Sequence, residues 1–226
     1  MNNPISRPLI FLVITLSFAL YSCGGSPLTG KAVAVIPRED GPLPKVFFCP
    51  QDHCINHLLA QINGSTTIHC AFFGIDEENV VALLREKSPQ GSVQLVVDEQ
   101  NKAPLDGIPS RRDTSRQYMH NKFCILDGEK IITGSFNPTV SEAPYNNNNL
   151  IIIASTYLAG NYEREFQELW SGRFGGGEEV LYPVVVFNGK QIENYFCPED
   201  HCAEKIIHQI AQAEHSILMM SFSFTH

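Results

Sequence analysis

The chain has 226 residues, 43% of them hydrophobic and 18% charged, which is apolar enough for a well-buried globular domain and excludes a disordered chain. Its formal net charge of −8 excludes a broad basic surface for a nucleic-acid backbone or an anionic bilayer, while leaving room for a local basic site.

The first element in chain order is an export signal at residues 1–22. Arg7 precedes the apolar run "LIFLVITLSFAL", which is too short to span a bilayer comfortably as a permanent helix. Leu20-Tyr21-Ser22-Cys23 resembles the lipobox of bacterial lipoproteins, where the signal is cut before the cysteine and lipid is attached to its sulfur. An ordinary cleaved signal and an uncleaved anchor are the alternatives, and all three place the domain outside the cytoplasm. Loss of residues 1–22 removes Arg7 and no acid, leaving 15 basic residues against 24 acidic ones, a formal −9.

Residues 23–45 are rich in Pro, Gly and charge without apolar periodicity, which reads as a linker, with structure beginning near Val46. "KVFF" is then a short strand, and "DHCINHLLAQI" a helix with Asp52 at its N-cap. "TTIHCAFFGI" is a buried strand, "DEENVVALLREK" an amphipathic helix with acids in its first turn, and "SVQLVVDE" the next strand. This β-α-β-α-β rhythm predicts an α/β sandwich.

The stretch "QNKAPLDGIPSRRDTSRQ" reads as a polar loop, whose Arg111, Arg112 and Arg116 either steer an anion or are simply solvated. "YMHNKFCILDG" and "KIITGS" are strands joined at Asp127-Gly128, a good hairpin turn. "NNLIIIAS" is a further apolar strand, and "YLAGNYEREFQELWSGRFG" a helix closed by glycines, so the first domain ends near Gly177.

An internal repeat follows. "FFCPQDHCINHLLAQI" at 47–62 returns as "YFCPEDHCAEKIIHQI" at 195–210, and "AFFGID" at 71–76 corresponds to "MSFSFT" at 220–225. A period of domain length indicates tandem duplication. Residues 178–226 therefore read as a linker and the truncated start of a second copy, and the chain as a piece of a two-domain protein.

The chemistry concentrates in "YMHNKFCILDGEKIITGSFNPT". Alternation along a strand places His120, Lys122 and Cys124 on one face. His120, Lys122, Asp127, Gly134, Ser135 and Asn137 form the pattern HxKxxxxDxxxxxxGSxN, which resembles the signature of the phospholipase D superfamily, a likeness that extends over residues 46–177. The resemblance implies an α-β-α sandwich with a mixed central sheet and hydrolysis of phosphodiesters with no metal and no cofactor.

It further implies that Lys122 with the Ser135 and Asn137 side chains surrounds the phosphoryl oxygens and that His120 is the nucleophile, forming a phosphohistidine. Asp127 would hold a histidine ring in the useful tautomer and orientation. Members usually carry an acid just before the last apolar strand, where this chain has Asn148. The family mechanism also needs a second histidine from a second motif, and the sequence holds one His-x-Lys. Either two chains pair as a homodimer to complete the site, or a missing domain does so.

Among the cysteines, Cys23 is the candidate lipid carrier, and Cys70 and Cys124 read as small buried thiols. Cys49 with Cys54 and Cys197 with Cys202 form duplicated CPxDHC units, for which an exported compartment favours a local disulfide in each. A zinc site using His53 or His201 would need more ligands than either unit supplies. His57, His69, His208 and His215 read as ordinary surface or core residues. The substrate expectation is a phospholipid at the surface of an anchoring membrane, with a nuclease and an inactive surface lipoprotein retaining the fold as alternatives.

Overall fold

The computed structural model describes residues 35–221, so the signal, Cys23 and most of the expected strand at 220–225 lie outside the described residues. In chain order the elements are β1 (Arg38–Glu39), β2 (Lys45–Phe48), α1 (Cys54–Asn63), β3 (Ile68–Phe72), α2 (Glu78–Lys87), β4 (Val93–Asp98) and β5 (Ser110–Asp113). They continue with β6 (Lys122–Leu126), β7 (Lys130–Gly134), β8 (Asn149–Ala154), α3 (Thr156–Ser171), β9 (Val184–Phe187), β10 (Lys190–Glu193) and α4 (Cys202–Ala211).

Seven strands form one mixed sheet in the order β2-β8-β7-β6-β3-β4-β5. β3, β4 and β5 run parallel, as the crossover through α2 requires, and the remaining neighbours are antiparallel. The strands read as continuous apolar runs because both faces are covered. Cys70, Leu95, Cys124 and Ile132 face α1 and α2 through Leu58, Ile62, Val80 and Leu84. Ala71, Val96, Phe123 and Ile131 face α3 through Leu158, Phe166 and Leu169. The architecture is an α-β-α sandwich. Phe166 and Leu58 are each 0% exposed, and a side chain buried so fully contributes about 1.5–3 kcal/mol.

The turn from β6 to β7 has Asp127 at φ 55 and Gly128 at φ 68, the left-handed pair that matches the twist of a tight hairpin. α3 begins at Ser155, whose Oγ accepts from Leu158 N at 3.1 Å, and stops at Gly172, at φ 92.

Several stretches differ from their sequence reading. The linker at 23–45 contains β1, and the Glu39 carboxylate caps α3 by accepting from Thr156 N at 3.0 Å and from the Ser155 hydroxyl. Residues 184–193, also read as linker, form the β9–β10 hairpin, which joins β1 in a second, three-stranded sheet. Nothing divides the molecule near Gly177: residues 35–221 lie within one compact unit. The polar loop contains β5, an edge strand whose arginines are exposed.

Cys70 and Cys124 are a disulfide rather than two free thiols. They stand directly opposite each other in the antiparallel β3–β6 register with Cα atoms 4.1 Å apart, close enough for a bridge between neighbouring strands.

The two CPxDHC units share one conformation. Disulfides join Cys49 to Cys54 and Cys197 to Cys202, and His53 and His201 occupy the left-handed region at φ 50 and φ 52. The helix N-cap is His53 and not Asp52. Asp52 instead reaches back across the loop, its Oδ2 accepting from Phe48 N at 2.7 Å, as Asp200 does from Phe196 N at 2.6 Å. The copies part after their helices: Leu58 and Ile62 are 0% exposed, whereas their counterparts Ile206 and Ile210 are 54% and 36% exposed.

Candidate active site

The site is built where β6 begins. Asp98, at the end of β4 and 2% exposed, accepts from Gln100 N and Met119 N, both at 2.9 Å, and so fixes the chain entering His120. His120 lies outside the strand, which starts at Lys122 rather than at Tyr118. Its ring is exposed and rests against Phe73 at 5.0 Å between centroids. Lys122 Nζ donates to His120 O at 2.9 Å and lies 5.3 Å from the same Phe73 centroid. The ring thus seats the imidazole and the ammonium side by side.

Ser135 and Asn137 enter from the corner after β7. Gly134 has φ 141, and a Cβ there would lie 2.3 Å from Asn149 O, so only glycine lets β7 turn this close to β8. Ser135 Oγ donates to Asn148 Oδ1 at 3.0 Å and accepts from Asn149 N at 3.1 Å. Asn137, 3% exposed, accepts from Gly74 N at 3.3 Å and donates through Nδ2 to Glu142 Oε1 at 2.8 Å. Asn148 Nδ2 donates to Glu142 Oε2 at 3.0 Å.

Glu142 was not among the residues that the sequence singled out. A local signal existed: Thr139-Val140-Ser141-Glu142 has the spacing of a helix-start turn, and Thr139 Oγ1 accepts from Glu142 N at 3.1 Å. What the spacing did not reveal is that the carboxylate turns to Asn137 and Asn148 instead of back onto Thr139.

Partial burial against the neighbouring chain, followed by the charge of Lys122, lowers the His120 pKa although the residue remains open to solvent, against the opposing pull of Glu142 and Asp98. The ring is therefore neutral near pH 7, the state that a nucleophile needs. Lys122 is pushed down to about 8 by burial, again opposed by Glu142 and Asp98. It stays charged at neutral pH with little margin.

Behind His120 lies a cavity of about 90 Å³, lined by Glu165, Glu168 and Leu169 of α3 and by Cys197, Pro198 and Glu199 of the second CPxDHC unit. Oxygens of the three glutamates lie within 4.8 Å of one another, a spacing that could hold a divalent cation. Burial, then the charge of Glu199, pushes Glu165 up to about 7, and a proton shared there relieves the same crowding. His120 itself lines this cavity, whereas Lys122 and Asn137 do not.

Of the expected site residues, His120, Lys122, Ser135 and Asn137 come together and Asp127 does not. Asp127 sits at the other end of β6, where Oδ1 accepts from Thr66 N at 2.8 Å and Thr67 N at 2.9 Å. It orients no histidine there. The two amides stitch the hairpin to the start of β3. Burial would raise its pKa, but those amides, Ser65 and Lys130 outweigh it, and the net direction is down. Arg112 is likewise committed to structure, donating to Ala103 O at 3.2 Å and to Asn101 O.

Residues 58–170 match the family described as "Cardiolipin synthase, PLD-like domain", a span equal to half of the chain. The chain belongs to the phospholipase D superfamily. Within this family of phosphodiesterases it is 32% identical over 136 residues to a mitochondrial cardiolipin hydrolase of Xenopus laevis, covering 54% of this chain and 65% of that one. It is 31% identical over 130 residues to a phospholipase D of Rickettsia prowazekii, covering 51% and 62%. Each match thus spans less than two thirds of the relative's length. Among solved structures the fold is similar to Nuc, a phospholipase D family member from Salmonella typhimurium, with a TM-score of 0.53 and 23% identity, covering 58% of this chain and 96% of that one. It is also similar to NucT from Helicobacter pylori, with a TM-score of 0.50 and 16% identity, covering 57% and 96%. These two likenesses concern the fold alone.

Proposed function

We propose that this superfamily member is a phosphodiesterase that forms a phosphohistidine on His120 and acts on a phospholipid head-group diester. The observation that carries the reading is the seating of the His120 imidazole and the Lys122 ammonium together on Phe73, beside the Asn137–Glu142 network. His120 attacks phosphorus, a P–N bond forms as the P–O bond to the leaving alcohol breaks, and Lys122 neutralises charge on the phosphoryl oxygens. Water then attacks phosphorus and returns His120 to its free state.

A second general acid must protonate the leaving oxygen and then take the proton from water. The sequence holds one His-x-Lys; the second histidine comes either from a second copy of this chain related by a two-fold axis or from a further domain carrying its own motif. The relatives named for cardiolipin hydrolase and phospholipase D support the lipid substrate, and the formal charge of −9 after loss of residues 1–22 opposes non-specific binding of a polyanion. Lipid attachment at Cys23 would hold the domain outside the cytoplasm at the membrane that carries its substrate, and incorporation of a fatty-acid analogue, lost in Cys23→Ala, tests this.

The test of function is turnover of a soluble bis-aryl phosphodiester, of cardiolipin or phosphatidylcholine vesicles, and of single-stranded DNA. Lipid turnover abolished by His120→Ala supports the reading, whereas salt-sensitive cleavage of DNA alone would make the protein a nuclease. No turnover of any of the three would make it an inactive member.

A further inference from the structure

Both oxygens of the Glu142 carboxylate are engaged, one by Asn137 Nδ2 at 2.8 Å and the other by Asn148 Nδ2 at 3.0 Å. A carboxylate only accepts, so it decides which way each amide faces. Asn137 must turn its oxygen to Gly74 N, at 3.3 Å, and Asn148 its oxygen to the Ser135 hydroxyl, at 3.0 Å. The turn that carries Glu142 is itself pinned, with Ala143 N donating to Thr139 O at 2.9 Å and Asn146 N to Glu142 O at 3.0 Å. One anion, held by its own backbone, thereby orders the three uncharged polar side chains of the cradle.

We propose that Glu142 is a positioning residue of this site, setting the donor sense of Asn137, Asn148 and Ser135 and balancing the charge of Lys122. The inference rests on the phosphodiesterase reading above. The charged groups around His120 are Lys122 on β6, Asp98 at the end of β4 and Glu142 on its turn. Across the cavity stand Asp113 of β5, Glu165 and Glu168 of α3, then Arg173 and Glu199. Glu142 acts on both His120 and Lys122, in each case favouring the protonated form. Its removal therefore moves both titrations to lower pH, while loss of a purely structural contact moves neither.

The experiment compares wild type with Glu142→Gln in the full chain, using histidine-selective NMR to titrate His120 and a pH profile of bis-aryl phosphodiester turnover. The expected result is a kcat reduced about tenfold or more with a smaller change in KM, a His120 midpoint below that of wild type, and an alkaline limb displaced to lower pH. Unchanged kcat and an unchanged His120 midpoint would overturn the proposal, as would lower kcat with a wild-type midpoint and reduced thermal stability. Absence of wild-type turnover would sink the phosphodiesterase reading while leaving the NMR midpoint as the test of Glu142. Should Glu142→Gln not fold, Asn148→Ala removes one clamp and keeps the charge: lower kcat with an unmoved midpoint is expected, and wild-type kcat would overturn the proposal.

Discussion

His120→Ala removes the group that attacks phosphorus, and a loss of about 10³-fold or more in kcat/KM is expected. Lys122 carries a second, less obvious consequence. Its pKa in the folded protein is about 8 against 10.5 for a free lysine, so between those values the unfolded chain binds more protons and stability rises with pH. Below that window the half-buried ammonium works against folding in full. Lys122→Met is thus expected to lower turnover about 10²-fold or more while raising the melting temperature at pH 7, with the gain shrinking as pH approaches about 10.5. A variant less stable than wild type at pH 7 would contradict the charge balance described here. Asp127→Ala is expected to leave kcat near wild type and to cost about 1–2 kcal/mol in denaturant melts, since it releases Thr66 N and Thr67 N. The spacing of His120, Lys122, Ser135 and Asn137 put them at one end of a single hairpin, as the Phe123–Thr133 register has it. The sequence pattern misassigned Asp127 because spacing along a strand does not tell which end of that strand a carboxylate serves. Glu142 escaped notice because its role comes from side chains of other loop positions meeting across the turn, not from any period.

At the scale of elements, α3 lends the site a pH response of its own. Glu165 is pushed up to about 7 against 4.5 for a free glutamate, so the folded state holds the extra proton in that window and stability falls as pH rises through it. Glu165→Gln keeps an oxygen for Asn121 Nδ2, now at 3.1 Å from Glu165 Oε1. The variant should melt higher than wild type above about pH 7, with the difference gone below about pH 4.5. Equal melting temperatures at pH 8 would show that burial and the charge of Glu199 do not penalise the Glu165 carboxylate. The order of strands and helices was legible wherever periodicity was strong, as in β3, α2, β8 and α3. β5 was not, because "SRRD" has no apolar alternation and pairs only at the sheet edge. β1 and the β9–β10 hairpin were not, because two residues, Arg38 and Glu39, take their strand identity from partners 148 positions away.

For the whole molecule, the duplicated CPxDHC unit is folded alike in both places, yet among the described residues only the first lays its helix under a sheet. Ile206 and Ile210 keep the apolar character of Leu58 and Ile62, which is why the repeat was readable while its different burial was not. The second unit still contributes to the site region, since Phe196 packs 5.0 Å from Tyr162 and Glu199 lines the cavity behind His120. If the second histidine comes from another copy, turnover per chain should rise with protein concentration across the range where light scattering shows dimers forming. Constant turnover per chain in a monomer would contradict that arrangement. The central claim, that His120 is the attacking atom's owner, is tested most directly by quenching the protein in alkaline denaturant, where a P–N bond survives, during turnover of a bis-aryl phosphodiester and weighing its peptides. The account requires an aryl-phosphoryl adduct on the peptide bearing His120, lost in His120→Ala. Steady turnover with no adduct there, or with the adduct on another residue, would contradict it.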